Sequence, residues 1–225
     1  MIVVTGASKG LGAAICERLI SKDLNVIGLA RNIKNISFES IECDVSSYNS
    51  VKNAVKEIKK KNIKIECIIN AAGVASMNLA ITTNEYSVRK IIQTNLMGTI
   101  FCCQLLSPLM IRNKSGSIIN FSTIAVPLAL KGESIYAASK AGVETFSKVF
   151  AREMSDFNIV VNCIAPGPIK TDLLNGVSEK QISDIVNQQV IKRRFKASDV
   201  CDLVEILLDK KSLSLSGQIF NVGGV

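Results

Sequence analysis

The chain of 225 residues contains no histidine, and this absence restricts the chemistry that it can perform. Without histidine, neither a Ser-His-Asp nor a Cys-His catalytic arrangement can form, and no metal can be held through imidazole. Tyrosine, lysine, aspartate and glutamate remain as the groups that could transfer protons. We predict no metal site.

Paired cysteine motifs and long apolar runs are also missing. The seven cysteines include no C-x-x-C pair and lie mostly among apolar residues, which predicts reduced thiols in a reducing compartment. No continuous apolar run reaches the roughly 18 residues of a membrane span. Residues 1–6 lack the charged segment and the long apolar core of a signal peptide. These features predict a cytoplasmic protein with no membrane partner.

The sequence has no Pro/Gly/Ser-rich linker, low-complexity run or internal repeat, so we expect residues 1–225 to form a single domain. The net charge of +8 would suit nucleic acid or another acidic partner. The densest lysine cluster, residues 52–64, surrounds Val55 and Ile58, which belong to the apolar stripe of an amphipathic helix. Aromatic residues do not alternate with the basic ones, as a surface for stacking bases requires. We therefore predict a solvated helix face and no nucleic-acid partner.

Short β-branched runs alternate with segments of helical periodicity along the whole chain. The predicted strands are residues 2–4, 26–30, 40–43, 65–70, 117–121, 159–164 and 218–222. The predicted helices are residues 11–20, 47–61, 85–112, a segment around Tyr136, and residues 177–189 and 198–208. This order predicts an α/β fold: a Rossmann-type doubly wound parallel sheet of about seven strands with helices on both faces. Only about nine residues, 31–39, separate the second and third strands, so we predict a loop there instead of a helix.

Tyr136 and Lys140 stand four residues apart in a predicted helix, with Thr123 thirteen positions before Tyr136. Side chains at this spacing share a helix face, with Cβ atoms about 5–6 Å apart. A nearby ammonium group favours phenolate, so we expect Lys140 to lower the pKa of Tyr136 and to make it a general acid or base. A half-buried tyrosine beside a solvated lysine is the alternative interpretation.

A glycine-rich turn, Thr5-Gly6-Ala7-Ser8-Lys9-Gly10-Leu11-Gly12, directly follows the first predicted strand. Glycines at such a turn let the backbone approach a pyrophosphate, and the N-terminus of the following helix faces it. This position in an α/β pattern favours nucleotide binding over an ordinary glycine turn.

Five features, in this order along residues 1–225, resemble the short-chain dehydrogenase/reductase family, in particular its members similar to 3-oxoacyl-(acyl-carrier-protein) reductase. They are the T-G-x-x-x-G-x-G turn, Asn70-Ala71-Ala72-Gly73, Asn95, Thr123 with Tyr136 and Lys140, and Pro166-Gly167. Each feature is weak alone, and their combination is specific.

The resemblance implies a nicotinamide-dependent oxidoreductase in which Tyr136 gives a proton to a carbonyl oxygen as hydride arrives. Lys140 would bind the nicotinamide ribose, and Asn95 would kink its helix and hold a water in the proton relay. Asp44 would meet the adenine, and residues 166–171 would contact the carboxamide. The implied cofactor-binding residues are Gly6, Ser8, Lys9, Gly10, Leu11, Gly12, Arg31, Asp44, Val45, Asn70, Ala71, Gly73, Tyr136, Lys140, Pro166, Ile169 and Thr171.

Cofactor choice can be argued from the end of the second strand. An acidic residue there would bond a ribose 2′-hydroxyl and repel a 2′-phosphate, but this chain has Ala30 followed by Arg31. Arg31 and Lys9 could pair with phosphate oxygens. We therefore predict NADP(H) over NAD(H).

Two residues depart from the family pattern. Thr123 stands where a substrate-polarising serine is usual, and Ser122 precedes it. Adjacent strand residues point to opposite faces, so only one of the two hydroxyls can face the substrate, and we favour Thr123. Ala71 replaces a more usual asparagine, which removes one polar contact.

The sequence leaves the substrate open among ketones, 3-oxoacyl thioesters, sugars, steroids and small alcohols. An acidic carrier protein would suit the positive charge and Lys114, but the second expected base is Phe157. The implied lid, residues 172–196, has no diagnostic pocket residue. Apolar residues on several faces of two helices, together with the resemblance, predict a homodimer or homotetramer. A non-catalytic NADP-binding sensor or scaffold is the alternative function.

Overall fold

Seven parallel strands form one sheet in the computed structural model, which describes residues 1–171 and 177–225. The strands are β1 Ile2–Thr5, β2 Val26–Ala30, β3 Ser40–Glu42, β4 Cys67–Asn70, β5 Gly116–Phe121, β6 Ile159–Ala165 and β7 Ile219–Asn221. Their spatial order is β3-β2-β1-β4-β5-β6-β7. Between β1 and β4 the order reverses relative to the sequence, which confirms the predicted doubly wound fold.

Helices connect the strands and cover both faces of the sheet. They are α1 Gly10–Ile20, α2 Tyr48–Lys60, α3 Glu85–Ile92, α4 Gly98–Ile111, α5 Ala125–Leu128, α6 Ser134–Met154, α7 Glu179–Gln188 and α8 Ala197–Leu208. The connection from β2 to β3 contains no helix, as predicted. The short α5 was not predicted; it ends where Ala129 adopts a left-handed conformation with φ of 49°.

The core has two layers because alternate strand residues point to opposite faces of the sheet. Val3 and Ile68 pack on the side of α2 and α4, whereas Val4 and Ile69 pack on the side of α1 and α8. Every residue of β1, β2 and β4 is buried, as expected for a parallel sheet covered on both faces. The cysteines are all buried thiols, which confirms their predicted place in the core.

The lysine-rich helix α2 is amphipathic. Val51, Ala54 and Ile58 are buried on its inner face. The lysines between them are exposed. The side chain of Ser47 accepts a hydrogen bond from the backbone N–H of Ser50 and so caps the helix start. The prediction of a solvated basic face is confirmed.

A continuous helical segment runs from Glu85 to Ile111 and contains a π-helical stretch, Gln93–Met97, between α3 and α4. By length and composition alone this segment could cross a membrane, a test that core helices of soluble proteins also pass. Cys103, Leu106 and Met110 lie fully buried against the sheet. The segment is therefore weak evidence for a membrane span.

Candidate active site

A cavity of about 640 Å³ opens where the carboxyl ends of the central strands meet. Parallel α/β sheets bind ligands at this edge, beside the point where strand order reverses. The volume lies within the range of small-molecule sites, about 300–1,000 Å³. One end of the cavity is formed by the glycine turn and the loop after β2, and the other by the residues after β5 and the start of α6.

The glycine turn brings bare backbone to the cavity wall. Gly6 has a φ of +72°, and a Cβ placed on it would lie 2.8 Å from the Cα of Ala72. A Cβ on Gly12 would lie 2.3 Å from the carbonyl oxygen of Gly6, so only glycine allows α1 to approach β1 this closely. A Cβ on Gly10, whose φ is +60°, would meet only Thr171 across the opening, at 3.8 Å. This uncovered backbone at a helix start fits a dinucleotide pyrophosphate.

The loops after β2 and β3 form the adjoining part of the wall, with Ala30, Arg31, Asp44 and Val45. The Oδ1 atom of Asp44 accepts hydrogen bonds from the backbone N–H of Ser46 at 3.0 Å and from its hydroxyl at 2.7 Å. Asp44 therefore stabilises a turn at the end of β3 while it also lines the cavity.

Helix α6 carries Tyr136 and Lys140 into the opposite end of the cavity. The Lys140 side chain is buried, and its Nζ donates a hydrogen bond to the carbonyl oxygen of Phe121 at 2.7 Å. Thr123 lines the same cavity, and its hydroxyl acts to lower the pKa of Tyr136. A Cβ on Gly73 would lie 3.6 Å from Lys140 Nζ, so the turn after β4 packs beside the lysine. The structure thus brings these four predicted site residues together.

The predicted effect of Lys140 on Tyr136 is wrong for this structure. Burial raises the pKa of Tyr136 to about 12, the charge of Glu133 raises it further, and the hydrogen bond with Thr123 lowers it. Burial also lowers the pKa of Lys140 to about 8, since desolvation disfavours the ammonium form. At neutral pH the lysine is still mostly protonated, and the phenol keeps its proton.

Ser122 and Thr123 direct their hydroxyl groups to different partners. Ser122 Oγ donates a 2.6 Å hydrogen bond to Oε1 of Glu144, one turn beyond Lys140 on α6. Thr123 Oγ1 accepts from the backbone N–H of Ala125 at 3.2 Å. Both residues line the cavity, and of the two only Thr123 is a cause of the pKa shift of Tyr136.

Asn95 lies in the π-helical stretch and is fully buried. Its Oδ1 accepts from the N–H of Val74 at 2.8 Å, and its Nδ2 donates to the carbonyl oxygen of Val74 at 2.9 Å and to Ser139 Oγ at 3.0 Å. π-Bulges are a known cause of helix kinks, and this one interrupts the α-helical hydrogen bonding at Asn95. In the described structure Asn95 is absent from the cavity wall and instead connects the turn after β4 to α6.

The Asn70 side chain also points away from the cavity wall of the described residues. Its Nδ2 donates to Asn120 Oδ1 at 2.8 Å, and Asn120 Nδ2 donates to Ser147 Oγ at 2.8 Å. This buried chain of bonds joins β4, β5 and α6. The other residues predicted for the cofactor, including Pro166, Ile169 and Thr171, line the cavity.

Residues 172–176 of the predicted lid lie outside the described residues. The described part of that segment contains α7, and Val177 and Ile185 line the cavity. Sequence reasoning missed Met77, Tyr86, Lys90, Leu130 and Glu133, which also line it. Glu133 stands three residues before Tyr136, and this proximity in the sequence was its one usable signal.

Comparisons with known proteins agree with this arrangement. A family model described as short chain dehydrogenase matches residues 1–182. The protein named 3-oxoacyl-(acyl-carrier-protein) reductase FabG of Staphylococcus epidermidis is 32% identical, covering 99% of this chain and 96% of that protein. Carbonyl reductase family member 4 of Xenopus laevis is 33% identical, covering 98% of this chain and 95% of that protein.

Among solved structures, ligand-free aldohexose dehydrogenase of Thermoplasma acidophilum has a TM-score of 0.90 and 28% identity. The match covers 99% of this chain and 92% of that one. The glycine turn, the cavity at the sheet edge and the tyrosine–lysine helix are thus accompanied by full-length sequence similarity to reductases. The chain therefore belongs to the short-chain dehydrogenase/reductase family of nicotinamide-dependent oxidoreductases.

Proposed function

We propose that the protein uses NADPH to reduce a ketone or a 3-oxoacyl group to the alcohol. The observation that carries this proposal is that Thr123 and Tyr136 line the same cavity as the uncovered backbone of the glycine turn. Two hydroxyl groups that converge in this way suit a carbonyl oxygen, because one can donate a hydrogen bond while the other delivers a proton. The chain would act as one domain.

Three residues of the site have separate roles in the proposed reaction. A bound nicotinamide cofactor supplies the hydride for the carbonyl carbon. Thr123 donates a hydrogen bond to the carbonyl oxygen, and Tyr136 Oη transfers its proton to that oxygen as the alkoxide forms. A phenol with a pKa of about 12 holds its proton at neutral pH, which suits reduction. Lys140, fixed by the carbonyl of Phe121, lies beside the turn at Gly73, where it would bond the ribose hydroxyls.

The test is a panel of ketones, aldoses and 3-oxoacyl thioesters, followed by NADPH absorbance. We expect Tyr136→Phe to lower kcat by about 10²–10⁴-fold, since it removes the proton donor. Tyr48→Phe is the matched control, because Tyr48 is exposed, packs edge-on against Phe101 and does not line the cavity. NADPH oxidation at background level across the whole panel would instead favour a non-catalytic NADP-binding protein.

The preference for NADPH rests on the loop after β2. Arg31 and Lys9 line the cavity next to Ala30, where no acidic side chain would repel a 2′-phosphate. We expect Arg31→Gln to raise the KM for NADPH about tenfold and to leave that for NADH unchanged, as loss of a charge-assisted hydrogen bond predicts. Lys34→Gln, on the same loop but outside the cavity wall, should change neither. A wild-type KM for NADPH above that for NADH would refute the preference.

The relatives' names suggest two forms of carbonyl substrate, a free carbonyl compound and an acyl thioester. Lys114 is exposed just before β5 and could contact an acidic carrier protein, whereas Phe157 is half-buried and offers no charge. To distinguish these two forms, kcat/KM is measured for a 3-oxoacyl group on a carrier protein and for the same group on a short thiol. A higher kcat/KM for the carrier thioester that Lys114→Glu abolishes would establish the carrier as partner.

A further inference from the structure

Glu133 is a carboxylate in the cavity wall that the proposed mechanism does not use. It is half-buried, precedes the first residue of α6, and lines the cavity together with Leu130 and Tyr136. Tyr136 follows three residues later, and both residues line the same cavity. After burial, the charge of Glu133 is the next cause that raises the pKa of Tyr136, which agrees with their place in one cavity wall.

Nothing within residues 1–171 and 177–225 neutralises this carboxylate. Glu133 occupies the N-cap position of α6, yet its side chain makes no capping hydrogen bond. None of the ion pairs or side-chain hydrogen bonds found in the described chain includes it. Burial raises its pKa, which is the expected result for a carboxylate without a compensating partner. A carboxylate placed in this way is available to a ligand that enters the cavity.

Apolar side chains also line the cavity wall near Glu133. A Cβ on Gly132 would lie 3.4 Å from Cγ of Met77, so the turn after β4 closes against the residues before α6. Leu130 and Met77 both line the cavity here. A substrate carbonyl at Tyr136 would therefore have a carboxylate acceptor near it in the same wall. An acceptor of this kind bonds hydroxyl or ammonium groups and repels carboxylates.

We propose that Glu133 selects the substrate of this site: a carbonyl compound that carries a hydrogen-bond donor, hydroxyl or ammonium, next to the carbonyl, and not one that carries a carboxylate there. This inference rests on the proposed carbonyl reduction at the same site. It makes Glu133 a specificity-determining residue and directs the search for the substrate to hydroxy- and aminocarbonyl compounds.

Four ketones of similar size test the proposal: butanone, hydroxyacetone, aminoacetone and pyruvate. Each is measured with the NADPH-loaded enzyme by kcat/KM and by the apparent Kd from thermal stabilisation. Relative to butanone, we expect the wild-type enzyme to favour hydroxyacetone and aminoacetone and to disfavour pyruvate, each by about tenfold or more. The two favoured probes distinguish a hydroxyl donor from a cationic one.

Glu133→Gln should reduce the ratio of aminoacetone to pyruvate at least about tenfold, because it removes the charge and keeps an acceptor oxygen. The kcat/KM for hydroxyacetone should fall by a smaller factor, and the kcat/KM for butanone should change by no more than about twofold. Glu153→Gln removes the same charge from the exposed end of α6, outside the cavity wall, and should change no ratio.

Equal ratios for wild type and Glu133→Gln, in turnover and in stabilisation, would overturn the proposal. So would a wild-type preference for pyruvate, which would instead assign the substrate-facing charge to Lys90, the lysine of the cavity wall that lies over the Tyr86 ring. Either result leaves carbonyl reduction intact. The reduction itself fails only if no carbonyl compound of the wider panel is turned over.

Discussion

Lys140 is an amino group held away from water by helix α6 and the end of β5. Only 3% of the residue is exposed, and its Nζ has one hydrogen bond, to Phe121, among the described residues. Burial therefore works against the charge that the reaction would use. A buried ammonium group of this kind lowers the stability of the fold, as is common for residues of functional sites.

Replacing Lys140 by Met should stabilise the protein at neutral pH and not at high pH. The pKa of Lys140 is lowered from 10.5 to about 8, so the unfolded chain binds its proton more tightly than the folded chain. The wild-type penalty is complete below about pH 8 and disappears as the pH rises to about 10.5. Urea unfolding of both proteins should show the gap in unfolding free energy closing by about 3 kcal/mol across this window. A difference in unfolding free energy that does not change with pH would contradict a lowered pKa of Lys140 in the folded state.

The raised pKa of Tyr136 makes the two reaction directions respond differently to pH. Reduction needs the phenol, which is present up to a pKa of about 12, whereas alcohol oxidation needs the phenolate. The initial rate of oxidation should rise about tenfold per pH unit from about pH 7 to about pH 10, and the rate of reduction should not rise. Rates of alcohol oxidation that level off near pH 7 would mean that the phenol ionises near neutrality.

At the scale of elements, the π-helical stretch Gln93–Met97 determines how the long helix meets the site. The extra backbone width places Asn95 where it bonds both backbone groups of Val74. Gly142 of α6 packs against Leu96, since a Cβ there would lie 2.9 Å from the leucine Cδ2. Asn95 thus acts by holding the turn after β4 and α6 in place.

Asn95→Ala should lower the free energy of unfolding by about 2–4 kcal/mol, because it removes buried hydrogen bonds to Val74 and Ser139 and leaves their polar groups unpaired. Asn113→Ala, near the exposed end of the same helix, loses one bond to Leu109 and should change stability by less than about 0.5 kcal/mol. Urea denaturation measures both. Equal effects would mean that the bonds of Asn95 do not stabilise the fold.

The regular helices and strands could be predicted from the sequence, because each has a local pattern of apolar residues. β-Branched residues predicted the strand at Ile2–Thr5, and the apolar stripe with Val55 and Ile58 predicted α2. The four residues of α5 and the π-helical stretch were not foreseen, because neither is long enough to show a period. Their geometry depends on tertiary contacts.

The sequence predicted the site residues that belong to recognisable motifs. It did not predict the properties that depend on how deeply a residue is buried. Tyr136, Lys140 and the glycine turn could be identified from residue type and spacing. The sign of the Tyr136 pKa shift could not, because spacing gives the distance to Lys140 but not the depth of burial. Glu133 was missed for the same reason, since only the folded chain shows a carboxylate without a partner among the described residues.

For the whole molecule, exposed apolar side chains suggest contact between copies of the chain. Met97 is 40% exposed and Val149 is 51% exposed, on packed helical segments. Membership of the family is compatible with an assembly, and we propose a homodimer or homotetramer. Light scattering should give a mass at least about twice the 24.3 kDa of one chain.

Val149→Glu should shift that mass towards 24.3 kDa, because a charge in an apolar interface is costly to desolvate. Leu24→Glu changes a similarly exposed residue, 42% accessible, in the turn after α1 and should leave the mass unchanged. A wild-type protein that already runs as a single chain would refute the assembly.

The buried cysteines can report local opening of the folded protein. Burial raises the pKa values of Cys16, Cys103 and Cys163 to about 12, so these thiols are both hidden and protonated in the folded state. A thiol reagent can modify them only after the surrounding layers separate. Because the three residues lie in α1, α4 and β6, the order in which they become labelled would map which layer loosens first.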